Sequence, residues 1–357
     1  MEHWVAVAAS TGGWYSHDIY GDFGNTDTPP DLYRLTKTQY FYITALQHMA
    51  AFANHVGNAA DVARFGALAS SLKADFMTRL FNTSTGCFGN CTYVSQIFGL
   101  QLLDDDASLP AQAAAWESVL SQIGTNATNP AKATRFGGGI VTLKLVYPLF
   151  HRFGESALAL KTLLHTDRAP SLGYWAGRGD TTLHEAWNMS NAYKGTWVGS
   201  FNHIMLGSPG KWFYTLFAGI DRAAVQGGRQ TSWSRLQLAP PRDPAVWAQN
   251  LTSCRGALAT PAGNVTVQWT APSQPHPVLY TLDVDVPAGS RATVVVPTVL
   301  QAASVTIAEG AAIVWADGKC NTNSTAGISR CVEGSDLRSV EFETGSGTYG
   351  FVVTLQT

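Results

Sequence analysis

Between residues 59 and 81 the apolar side chains Val62, Phe65, Leu68, Leu72 and Phe76 recur three or four positions apart, with Asp61, Arg64, Lys73 and Asp75 on the opposite face. That spacing predicts an amphipathic helix. Leu109, Ala113, Trp116, Leu120 and Ile123 repeat the rhythm. Residues 36–53, by contrast, are apolar or aromatic almost all round, the pattern of a helix buried on every side. Gly57 ends that helix and Asn58 caps the next. Residues 135–166 predict two more helices broken at Gly154, with Gly137, Gly138 and Gly139 in a tight turn ahead of them, and 209–220 predicts another opened by Pro209. An inner apolar helix followed by an outer amphipathic one, repeated, predicts helical hairpins arranged in two layers.

Beyond Arg229 the period changes. The segments TSWSRLQL, GNVTVQWTA, VLYTLDVDV, RATVVVP, LRSVEFET and TYGFVVTL alternate or are rich in β-branched residues, and Pro, Gly and Asn turns separate them. They predict an antiparallel β-sandwich. The chain therefore reads as a two-domain α+β protein, helical over 1–226 and β over 227–357, with Gly227-Gly228 as the boundary.

Composition narrows the function classes. Charged residues make up 13% of the 357, about half the usual share, and the net charge is −2, which argues against capture of nucleic acid or an anionic membrane. No stretch is apolar for long enough to span a bilayer. The cysteines, Cys87, Cys91, Cys254, Cys320 and Cys331, form no CxxC pair of the kind a structural zinc site needs. Asn-x-Ser/Thr sequons stand at Asn82, Asn90, Asn126, Asn188, Asn250, Asn264 and Asn323, half of the 14 asparagines and more than chance gives at this Ser and Thr content. Read as glycosylation sites, they place the protein in the secretory pathway. Cys87–Cys91 and Cys320–Cys331 then become bridges, with Cys254 left over. Accidental sequons in a Thr-rich cytosolic chain are the alternative. Residues 1–16 carry no signal peptide, having neither a basic start nor an apolar core.

Chemistry concentrates in residues 173–214, where four tryptophans, three tyrosines and two phenylalanines accompany Asp180, His184, Glu185 and His203. A sugar needs such a surface, because its C–H faces stack on aromatic rings while its hydroxyls require hydrogen bonds. A carboxylate beside tryptophan suits general acid or base work. The same aromatics equally describe a packed joint that is merely core. His184-Glu185 is no HExxH site, because residue 188 is Asn. Nothing in the sequence calls for a metal or another cofactor.

The runs GDTTLHEAWN (179–188), GSFNH (199–203) and GSPGKWFYTLFAGI (207–220) closely resemble the C-terminal catalytic half of the α-L-rhamnosidases of glycoside hydrolase family 78. That family carries G-x-TTLWE-x-W, SFNH and G-x-x-G-x-W-x-Y-x-x-x-AGI in this order. The likeness extends through GDFGN (21–25) and 139–160 and into the downstream strands. It implies an (α/α)6 barrel, here incomplete, followed by a β-sandwich. It further implies hydrolysis of terminal α-L-rhamnosyl residues with inversion, with a rhamnosylated glycoside or oligosaccharide as substrate. The resemblance places the general base on Glu185 and a sugar-hydroxyl ligand on His203, with Trp187 close by and Asp22 and Phe23 lining the pocket.

Two positions depart from the pattern: Phe23 stands where the family has Trp after GD, and His184 replaces the Trp before the catalytic Glu, altering the sugar-stacking surface. The family's general acid lies in a motif resembling DERLGWTGD, and no such stretch precedes Gly21. The chain therefore reads as N-terminally truncated, with about eight of twelve barrel helices and no general acid, and is expected to turn over no rhamnoside by itself. The alternatives are a non-catalytic glycan-binding module and a six-hairpin glycosidase for another sugar. The sequence does not disclose the oligomeric state.

Overall fold

A computed structural model describes residues 1–17, 21–23, 33–103, 110–123, 136–167, 169–187, 199–225, 229–230, 232–271, 278–298, 304–321 and 327–355. The chain forms two compact units, Met1–Pro209 and Gly210–Thr357. The boundary expected at Gly227-Gly228 falls outside the described residues.

The first unit is helical: α1 (Glu2–Ser10), α2 (Arg34–His55), α3 (Ala59–Leu80), α4 (Tyr93–Leu102), α5 (Pro110–Ile123), α6 (Ile140–Arg152), α7 (Ser156–Leu164) and α8 (Leu172–Gly177). Successive helices pack as hairpins, α2 with α3, α4 with α5 and α6 with α7, while α2, α4 and α6 also touch one another in order. The hairpins thus share an inner layer of alternate helices, as the predicted two-layer pattern requires. The punctuation works as read: Gly57 and Gly154 adopt positive φ at the breaks, and the Asn58 side chain accepts the Asp61 N–H at 3.1 Å.

Which faces are covered differs from expectation in two helices. Helix α2 buries only one flank, leaving Phe41 and Phe52 41% and 66% exposed. Instead α4, which the apolar pattern did not single out, is buried nearly all round, from Tyr93 to Leu102. In α5 the buried stripe is Gln112, Ala115, Trp116, Val119 and Ile123, while Ala113 is exposed. The reason is polar: Gln112 turns inward to accept a hydrogen bond from Arg152 Nη2 at 2.9 Å, and the same nitrogen donates to Leu100 O at 3.3 Å. This arginine joins α4, α5 and α6.

Residues 81–82 and 87–88 form a short hairpin, and Cys87 is bonded to Cys91 at its end. Cys320 is bonded to Cys331, and Cys254 is free. Each of the four described sequon asparagines, Asn82, Asn90, Asn250 and Asn264, is exposed.

The second unit is a β-sandwich. A five-stranded sheet orders the strands 328–333, 339–344, 291–297, 235–238 and 220–222, and a seven-stranded sheet orders 319–320, 312–316, 305–309, 347–355, 278–286, 263–270 and 253–260. Pairing is antiparallel except between Arg235–Leu238 and Arg291–Val294. Inward residues alternate along each strand, so Val265, Val267 and Trp269 of one sheet and Val294, Val296, Val340 and Phe342 of the other share a single core. The helix expected over 209–220 is shorter, because Pro209–Trp212 runs into a wider turn over Phe213–Phe217 and Ile220 already begins a strand. Gly219, at φ +72°, makes the corner; a side chain there would meet the backbone of Ala239 and Pro240.

Candidate active site

Glu185 lies in a non-helical stretch after α8 that is hydrogen-bonded to residues 200–203. The Glu185 N–H donates to Ser200 O at 2.9 Å and the His203 N–H to Leu183 O at 2.8 Å. The hydroxyl of Thr182 donates to Phe201 O. The Ser200 N–H donates to the carboxylate of Glu185, reaching Oε2 at 2.7 Å. That bond ties the side chain to the paired backbone and fixes where it points. His203 Nδ1 stands 3.5 Å from the same oxygen. Oε1 receives no hydrogen bond from any described residue, and the side chain is 19% exposed. The residues between the two stretches, 188–198, lie outside those described, yet the pairing closes the 18-position gap that no single helix face spans.

Behind this edge stands an aromatic stack. Helix α8 carries Trp175 inward, where it lies 4.8 Å from the Trp187 ring and 4.7 Å from the His184 ring. Phe201 meets His184 edge-on at 4.9 Å. Trp175, Trp187 and His184 are each 2% exposed. His184 lies in the stack while its neighbour Glu185 is partly exposed.

The upstream motif reaches the site through a turn. The Trp187 indole N–H donates to Gly138 O at 2.8 Å. On the next residue, the Gly139 N–H donates to Asp22 Oδ2 at 2.8 Å. Asp22 also accepts the Val141 and Thr142 N–H groups at 2.9 and 3.2 Å and the Thr142 hydroxyl. It thereby caps α6 from a distant segment, satisfying N–H groups that a helix start leaves orphaned. Phe23 O accepts the Ile140 N–H at 2.9 Å. The Tyr33 hydroxyl accepts the Asp22 N–H at 2.9 Å, and Lys37 Nζ donates to Gly21 O.

The structure thus brings Glu185 and His203 together at an accessible edge and leaves Phe23 half-buried. Asp22, His184 and Trp187, read in the sequence as lining the pocket or touching sugar, are buried. Asp22 and Trp187 spend polar atoms on the α6 turn, and His184 lies in the aromatic stack. Three residues escaped the sequence reading. Ser200 fixes the carboxylate, Trp175 centres the stack, and Gly138 accepts from Trp187. Ser200 sits in the SFNH motif and was legible as a neighbour, whereas a backbone carbonyl leaves no mark in a sequence.

The family model of the bacterial alpha-L-rhamnosidase 6 hairpin glycosidase domain matches residues 1–217, and that of the bacterial alpha-L-rhamnosidase C-terminal domain matches residues 227–309. An alpha-L-rhamnosidase from Streptomyces avermitilis is 27% identical over 286 residues, covering 78% of this chain and 25% of that protein. Among solved structures, alpha-L-rhamnosidase from Dictyoglumus thermophilum superposes with a TM-score of 0.77 at 20% identity over 99% of this chain and 36% of its own. The Streptomyces avermitilis enzyme complexed with L-rhamnose superposes with a TM-score of 0.73 at 24% identity over 96% and 29%. The chain therefore spans between a quarter and about a third of the length of these relatives. With a six-hairpin match over more than half of its residues and the C-terminal match following in order, the chain belongs to the bacterial α-L-rhamnosidase six-hairpin glycosidase family.

Proposed function

We propose that this chain is the part of an α-L-rhamnosidase that holds the general base, and that the whole protein hydrolyses terminal α-L-rhamnosyl residues with inversion. Glu185 is the base. The observation that carries the reading is the state of its carboxylate: one oxygen is fixed by the Ser200 N–H with His203 beside it, and the other takes no bond from a described residue. A base needs this division, since the fixed oxygen sets direction while the second accepts the proton of the attacking water. His203 is placed to bind a sugar hydroxyl next to that water, and half-buried Phe23 lines the pocket.

In an inverting hydrolase a second carboxyl group, roughly 6.5–9.5 Å from the base, protonates the leaving oxygen as the water attacks the anomeric carbon from the opposite face. We assign no acid among the described residues. Asp22 is occupied with the start of α6. Asp180, another carboxylate among the described residues, is 13% exposed and turned toward His184.

In the full-length protein, Glu185→Gln is expected to lower hydrolysis of a nitrophenyl α-L-rhamnoside by about 10²–10⁴ while L-rhamnose still binds, because the amide keeps the shape and cannot take the proton. Proton NMR of the first-formed sugar is expected to show the β anomer. Activity of the variant within twofold of wild type removes Glu185 from the base role, and α-anomer product removes inversion.

A further inference from the structure

The sequon asparagines Asn82, Asn250 and Asn264 are exposed, and their side-chain nitrogens donate to no described residue. Asn58 and Asn321, which stand outside any sequon, spend theirs on Asp61 Oδ2 at 2.9 Å and on Ile313 O at 3.1 Å. Asn82 uses only its oxygen. Oδ1 accepts the Ser84 and Thr85 N–H groups at 2.9 and 3.2 Å, which shapes the turn of the 81–88 hairpin. A sugar on the nitrogen leaves that oxygen in place, so the turn and the modification coexist.

Local structure accounts for the asparagines and not for the hydroxyls that follow them. Asn250 holds φ +64°, a left-handed conformation that asparagine tolerates, and Asn82 makes its turn. The hydroxyls of Ser84 and Thr252, which complete the two sequons, bond to no described residue. A hydroxyl without a task in the fold fits one that is needed earlier, while the sequon is read on the extended chain. At the third site the Thr266 hydroxyl is taken up by Asp285, and strand 263–270 is paired on both sides. Modification of Asn264 therefore has to precede closure of the sheet. Asn90 is set apart, because Cys91 is bonded to Cys87 and the Thr92 side chain caps α4. An independent feature points to the same compartment: the bonded pairs Cys87–Cys91 and Cys320–Cys331 belong to an oxidising environment.

We infer that Asn82, Asn250 and Asn264 carry N-linked glycans, added in the secretory pathway before the chain folds. In the transfer, the side-chain nitrogen attacks the anomeric carbon of an N-acetylglucosamine-led oligosaccharide held on a lipid pyrophosphate. The nitrogen–carbon bond forms and the bond from that carbon to the phosphate oxygen breaks. The lipid pyrophosphate leaves, and one amide proton passes to a base of the transferase. The inference is independent of the role given to Glu185.

The test uses the full-length protein from the cells that make it, treated with peptide N-glycosidase in heavy-oxygen water, which turns each glycosylated asparagine into a labelled aspartate. Peptide mass spectrometry is expected to find the label at all three positions and at neither Asn58 nor Asn321. In the secreted protein, Asn82→Gln, Asn250→Gln and Asn264→Gln are each expected to remove the mass of one glycan. Any of the three positions found only as unlabelled asparagine overturns the inference, and so does a Gln variant that loses no mass. Protein folded without glycans and then offered to microsomes that hold the lipid-linked donor is expected to gain nothing at Asn264; modification there overturns the stated order.

Discussion

Gly139 occupies a position where a side chain has no room. A Cβ there would lie 2.3 Å from Phe23 O and 2.4 Å from Asp22 O, both backbone atoms that cannot swing aside. Gly139→Ala must therefore push the 21–23 segment away from the turn and loosen the Asp22 bonds to α6, at a cost of about 1–3 kcal/mol. Gly66, inside α3, would meet nothing within 4 Å, and Gly66→Ala is expected to stabilise by about 1 kcal/mol through helix propensity alone. Denaturant midpoints of the two variants should move in opposite directions; a shared direction defeats the packing argument. At this scale the sequence marked candidate residues and hid the architecture around them. Glu185 and His203 were legible because their motifs are contiguous. The commitment of Asp22 to an amide 117 residues away was not, because a carboxylate that caps a helix and one that faces a sugar share the same letter. The burial of His184 was not legible either, because Trp175 and Phe201 come from segments that local spacing does not connect.

Among the elements, the central strands of the seven-stranded sheet are tied by one carboxylate. Asp285, on 278–286, accepts hydrogen bonds from Thr266 on one neighbouring strand and from Thr348, at 2.6 Å, on the other. These bonds to Thr266 and Thr348 hold its pKa below the ordinary aspartate value. A carboxyl group with a depressed folded-state pKa contributes stability that is fully present above the unfolded value, about 3.9, and is lost as the pH falls through the folded one. Thr348→Val is therefore expected to lower stability at neutral pH, by an amount that shrinks as the pH falls through the folded-state pKa of Asp285, and to raise the pH of the acid-unfolding midpoint. A midpoint that stays put or falls removes the tie from the account. Elements were legible where the hydrophobic pattern had a clear period, as in α3 and the strands 263–270, 278–286 and 291–297. They were illegible where it had none: α2 and α4 are both apolar on several sides, so periodicity gave no direction, and neighbours decided which one was enclosed. In α5 one buried glutamine shifted the stripe, a preference that only its partner Arg152 reveals.

On the scale of the whole molecule, the first unit joins elements from distant parts of the chain at a single turn. Asp22 comes from ahead of α2, Gly138 and Gly139 from the start of α6, and Trp187 from beyond α8. The α2–α3, α4–α5 and α6–α7 hairpins each close over short connections, whereas the Asp22 bridge to the α6 start closes a loop of more than a hundred residues. Loop closure grows costlier with length, and contacts of large sequence separation slow folding. The order of events follows. The hairpins form as local units, the amides of Gly139, Val141 and Thr142 stay unprotected until residues 21–23 arrive, and the edge that carries Trp187 is among the last features to become native. Pulsed hydrogen exchange during refolding should show those three amides gaining protection after the interior of α3; simultaneous protection contradicts this sequence. A chain emerging from the ribosome therefore holds the Asp22 segment early and waits for its partner, so that the tie between the motifs records the completion of synthesis through α6 and cannot form ahead of it.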